Sequence, residues 1–127
     1  MPVLKAEDPP VAGFIKYWIP VLIYATIIFY LSAMPGKDIP QVFAFQDKLV
    51  HILEYLGFGL LVNRAFWAYG WGGRKMRFWL ALAVCVLYGL SDEFHQLFVP
   101  YRSASLFDVL ADLAGSLTAG LFYLWQK

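Results

Sequence analysis

Four apolar runs, each close to the length that crosses a bilayer, constrain this chain more than any other feature. A helix needs about 20 mostly apolar residues to cross the hydrocarbon core, and such runs occur near 14–34, 47–69, 77–99 and 104–125. Lipid offers backbone groups no hydrogen-bond partners, so spans of this kind satisfy their own as helices. The expected fold class is therefore all-α, a four-helix transmembrane bundle forming a single integral membrane domain over residues 1–127. Composition agrees, because 61% of the residues are hydrophobic and only 15% are charged, against about a quarter in soluble domains. A net charge of +1 without a basic stripe offers nothing to nucleic acid, and no such partner is expected. Cys85 is the single cysteine, which excludes an intramolecular disulfide and a cysteine-rich metal site.

The connecting segments are short. Pro20 predicts a kink near the beginning of the first span, and the length of that apolar run argues for a retained span over a cleaved signal peptide. The first connector, "PGKDIPQVFAFQ", sets Ile39, Val42, Phe43 and Phe45 among polar residues, as suits a short interfacial segment. The connector "YGWGGRKMR" is a glycine-rich turn followed by basic residues. With four spans, both termini share a side with that turn, and Lys5, Lys16, Arg64, Arg74, Lys75, Arg77 and Lys127 fall there. Lys37, Lys48 and Arg102 fall opposite. Cytoplasmic flanks carry the excess of Lys and Arg, so both termini are expected in the cytoplasm. The five tryptophans, Trp18, Trp67, Trp71, Trp79 and Trp125, read as an interfacial belt.

Under that orientation the unusual polar residues share the extracytoplasmic level. Asp47 and His51 begin the second span, Asp92, Glu93 and Gln96 end the third, and Arg102, Asp108 and Asp112 begin the fourth. With the third helix running to residue 99, the 1.5 Å rise per residue places Glu93 roughly 10 Å below the turn at Pro100, too deep for a short carboxylate to snorkel out. Each such charge costs about 2.5–3.5 kcal/mol at mid-bilayer, so these residues should face inward and be partnered. Asp47, His51, Glu54, Tyr55 and Phe58 recur at i, i+4, i+7, i+8 and i+11 on one helical face. Asp108 and Asp112 continue into Gly115 and Ala119, small residues that let helices approach closely and seal the bundle beneath an outward pocket.

The strings "DKLVHILEYLGFGLL" and "SDEFHQLFVPYRSASLFDVLADLAGSLTAGL" resemble the two signature blocks of the VanZ-like membrane protein family. The shared pattern is Asp-Lys-x-x-His opening a helix, then Asp-Glu-x-x-Gln, Pro-x-Arg and a following Asp. The resemblance covers essentially the whole chain. It implies a small bacterial integral membrane protein of a family named for an accessory factor in resistance to the glycopeptide teicoplanin. It also implies that Asp47, Lys48, His51, Asp92, Glu93, Gln96, Arg102 and Asp108 occupy the family's polar motif positions. Two departures stand out: Tyr101 where the pattern often has Gly, and Asp112 where it often has Asn.

The leading reading is a protein that recognises or modifies a membrane lipid or lipid-linked, amphipathic cell-envelope molecule at the outer leaflet. His51 and Glu93 are the expected acid/base pair. Arg102 is expected to hold an anionic head group and, with the pocket empty, to pair with Asp108 or Glu93. Asp47 and Asp108 would orient His51 and Arg102, while Lys48, Asp92, Gln96 and Asp112 complete the binding set. His95 faces away from Asp92 and Gln96 and is read as structural, and Glu54 as an interhelical partner for Arg102. His51, Asp47, Asp92, Glu93 and Asp108 offer mixed nitrogen and oxygen ligands to a metal, but none is assigned, nor any cofactor, since no HExxH or comparable ligand pair is present. Ser91, Ser103 and Ser105 lack a nucleophile elbow. The rival readings are a noncatalytic binding or resistance module and a proton-coupled transporter; oligomeric state is open.

Overall fold

The structure, a computed structural model, describes residues 10–126. It comprises four helices: α1 (Pro10–Ser32), α2 (Gln46–Tyr69), α3 (Arg74–Gln96) and α4 (Leu106–Trp125), with one 3-10 turn at Gly36–Asp38 and no strand among the described residues. All four are long and apolar enough to cross a membrane. The expected spans are displaced by a few residues. The most consequential difference is at α3, which ends at Gln96 instead of 99. Leu97 to Arg102 then form hydrogen-bonded turns, so Glu93 sits one helical turn from the helix end, shallower than the depth expected for it.

The centre of the bundle is the α2–α4 pair, with α3 against both and α1 packed mainly on α2. The centre is tight because small residues line it. A Cβ built at Gly115 would stand 2.3 Å from the Ile52 carbonyl oxygen and 2.7 Å from the Leu56 nitrogen, and one at Gly59 would stand 2.9 Å from the Ala119 Cβ. The close approach expected from the small-residue face is therefore present and lies on the basic-loop side of His51. Around it, Tyr55, Phe58, Val62, Ala65, Ala81 and Cys85 form the buried core.

Helix α1 is the least buried and exposes Leu22, Ile23, Ile27, Phe29 and Tyr30. It continues through Pro20 as one helix. Proline has no N–H for the carbonyl four residues back, and that carbonyl, of Lys16, accepts from Arg64 Nη1 on α2 instead, at 3.4 Å. The Tyr88 hydroxyl of α3 donates to the Ala25 carbonyl further along. Two side chains thus tie α1 to its neighbours where apolar packing is sparse.

The five tryptophans lie toward the basic-loop end, but they do not form one belt. Trp71, Trp79 and Trp125 are exposed, whereas Trp67 is buried against Tyr123, 5.5 Å between ring centroids, beneath the Arg77 guanidinium. Trp67 is a core residue, because α2 turns it inward. At the opposite end Val42, Phe43 and Phe45 of the first connector are exposed, as an interfacial segment requires.

Candidate functional site

The polar residues converge where α2 begins, α3 ends and α4 begins. The two connectors at this end are joined to each other: Gly36 N donates to the Pro100 carbonyl at 3.2 Å, and a Cβ at Gly36 would collide with the Tyr101 carbonyl. Beneath them a cavity of about 420 Å³ is lined by Asp47, Lys48, His51, Glu54, Asp92, Gln96, Arg102 and Asp108, together with Ser103 and residues of the first connector. Seven of the nine expected site residues are on its wall. Glu93 and Asp112 are not, and meet His51 from within the bundle.

The pairings differ from those expected. His51 Nδ1 lies 2.8 Å from Asp112 Oδ1, both side chains being almost fully buried. Asp112, not Asp47, therefore orients the imidazole, because it projects from α4 at the level of His51, in the second turn of α2. Asp47 is exposed on the cavity wall and shares Lys48 with buried Asp108; the ammonium is 2.6 Å from the first and 2.5 Å from the second. Asp108 is thus neutralised by Lys48 and does not orient Arg102.

Arg102 pairs with neither Asp108 nor Glu93. Its Nε donates to the Met34 carbonyl at 3.1 Å and its Nη2 to the Leu31 carbonyl at 3.0 Å. The last carbonyls of a helix have no partner within it, and a cation there also opposes the negative end of the helix dipole. Arg102 accordingly caps the end of α1 across the cavity mouth. Glu93 instead accepts at Oε2 from the Ser105 backbone N–H, 3.0 Å away.

Gln96 is fixed by its Nε2 donating to the Ser32 hydroxyl at 3.1 Å. Ser105 is the N-cap of α4, its hydroxyl accepting from Phe107 N at 3.1 Å, and the exposed Ser91 hydroxyl donates to the Tyr88 carbonyl. None of Ser91, Ser103 and Ser105 is hydrogen-bonded to His51 among the described residues. His95 stacks on Phe29, with 4.6 Å between centroids, in line with its structural reading. Glu54 reaches the cavity wall but forms no ion pair with Arg102 among the described residues.

Sequence reasoning missed the supporting polar groups: Ser32, the Ser105 backbone N–H and the carbonyls that hold Arg102. Ser105 carried a legible signal, a serine immediately before an apolar helix. Carbonyls are present at every residue, and no pattern marks the two that Arg102 would reach.

The ordered motif residues around this cavity and the four membrane-length helices meet in one comparison. The VanZ/LLP1 family matches over residues 14–126. The chain belongs to that family. It is also 33% identical over 100 residues to an uncharacterized protein of Schizosaccharomyces pombe, C11E3.10; the match covers 77% of this chain and 57% of that protein. The chain thus spans little more than half the length of this curated relative. No solved structure matches. Family and helices together identify this VanZ/LLP1 member as a multi-pass membrane protein.

Proposed function

We propose that this VanZ/LLP1 member binds the anionic head of an amphipathic or lipid-linked cell-envelope molecule, at the extracytoplasmic leaflet of a bacterial membrane. The observation that carries the reading is the coincidence, at one end of the bundle, of a charged cavity with an apolar collar. At the same end of the bundle, where α3 ends and α4 begins, Phe94, Leu97, Phe98, Leu106 and Phe107 are all exposed. The head would occupy the cavity while its chain lay along the collar. Arg102 on the wall favours an anion, since it enters no ion pair among the described residues, and the guanidinium N–H groups not used on the Met34 and Leu31 carbonyls suit phosphate or carboxylate.

Modification of the bound head is a second reading, favoured by the His51–Asp112 pair. His51 is on the cavity wall with its Nδ1 held by a buried carboxylate, an arrangement that fixes the ring and suits proton transfer at the other nitrogen. The connection with teicoplanin resistance that the family name carries would follow if the bound molecule were a glycopeptide or its envelope target.

Mass spectrometry of amphiphiles that co-purify with the full chain tests the binding reading. One anionic class should be enriched over the bulk membrane, and Arg102→Lys, which keeps the charge but loses the fork, should reduce that enrichment more than it lowers Tm. Arg102→Ala should lower both, because two hydrogen bonds from a charged group to the Leu31 and Met34 carbonyls are lost, about 1.5–3 kcal/mol each. An identical amphiphile profile in wild type and both variants would refute the reading.

A further inference from the structure

We propose that His51, Glu93 and Asp112 form a binding site for one first-row divalent transition-metal ion. The three residues come from α2, α3 and α4 in turn, are all buried, and bring one imidazole nitrogen and two carboxylate oxygens within 4.8 Å of one another. Ions of this class hold such ligands at about 2.0–2.2 Å, so a small side-chain adjustment closes the set around one ion. One imidazole with two carboxylates suits zinc, manganese or iron.

The blander account is an ordinary buried His–Asp hydrogen bond, and it covers only part of what is present. Glu93 Oε1 and Asp112 Oδ2 are both fully buried with no hydrogen-bond partner. The other oxygen of each is already engaged, Glu93 Oε2 by Ser105 N and Asp112 Oδ1 by His51. Buried polar atoms are normally satisfied, and a buried carboxylate oxygen without a partner is costly. A cation satisfies both oxygens together.

The neighbouring lysine and arginine do not supply that cation. Lys48 is occupied by Asp47 and Asp108, and Nε and Nη2 of Arg102 by the carbonyls of Met34 and Leu31. Space is also kept beside Asp112: a Cβ at Gly89 would stand 3.1 Å from Oδ2. The inference does not depend on the headgroup reading, and its test requires no lipid.

Metal-free full chain in detergent, titrated with cobalt(II), should develop d–d absorption that saturates at one equivalent and is abolished by added zinc. Glu93→Gln and Asp112→Asn should each weaken cobalt binding by about tenfold or more, at least the loss seen when groups merely supporting a metal ligand are removed. His95→Phe, which removes an imidazole outside the set and keeps a ring against Phe29, should bind as wild type does. If either buried variant fails to fold, the wild-type titration still decides. Absence of the band from wild type, or equal affinity in the folded variants, would overturn the site and leave a proton to satisfy Glu93.

Discussion

At the scale of single residues, Tyr101 connects a departure from the family pattern to a backbone requirement. It adopts φ 60°, in the left-handed region that glycine enters freely and a side chain enters at a cost of about 1–2 kcal/mol. The glycine frequent at this place in VanZ-like patterns is thereby accounted for: the chain must turn sharply between Pro100 and Arg102 to bring the guanidinium onto α1. Tyr101→Gly should therefore leave Tm in detergent unchanged or raise it, since relief of the strained φ outweighs the roughly 0.5–1 kcal/mol of added chain entropy in the unfolded state. Tyr101→Val should lower Tm, because a branched side chain suits this φ poorly. A Tyr101→Gly variant markedly less stable than wild type would show that the ring, which lies beneath the Lys37 ammonium at 5.7 Å, matters more than the turn. The departure at Asp112 has a different consequence, for this is the carboxylate that holds His51.

At the scale of elements, the α2–α4 contact sets the geometry of the site. His51 and Asp112 meet because Gly115, three residues beyond Asp112, lets α4 approach the α2 backbone at Ile52 and Leu56. Gly115→Val should separate the helices, since a Cβ would fall 2.3 Å from a backbone oxygen that cannot rotate away. The expected loss is about 1–3 kcal/mol, typical of overpacking, with a fall in Tm measured in detergent. Gly70→Ala is the comparison: no atom lies within 4 Å of a Cβ there, although its φ of 65° adds strain. Equal Tm for Gly115→Val and wild type would place the helices further apart. Helix α1 behaves differently. Its sparse packing is supplemented by Arg64, Tyr88 and Arg102, each donating to an α1 carbonyl.

At the scale of the whole molecule, the orientation proposed from charge follows from seven basic residues against three, of which Lys5 and Lys127 lie outside the described residues. In a variant with buried Cys85 replaced, single cysteines at positions 38 and 73 test it in intact cells. An impermeant thiol reagent should label position 38 alone, and labelling of position 73 alone would reverse the orientation. The four spans, the inward-facing polar residues and the small-residue seam were legible in the sequence, because each follows from a local rule: bilayer thickness, the cost of a charge in lipid, and helical periodicity. The family was legible too, in the ordered motifs around Asp47, Asp92 and Arg102. Which charge meets which was not. Asp112 rather than Asp47 holds His51, Lys48 rather than Arg102 neutralises Asp108, and Arg102 turns to the end of α1. Those choices depend on the relative height of helices joined through separate loops and on where α3 stops, at Gln96. Helical spacing fixes the face on which a side chain lies; only packing of α4 on α2 fixes the level at which it meets a partner.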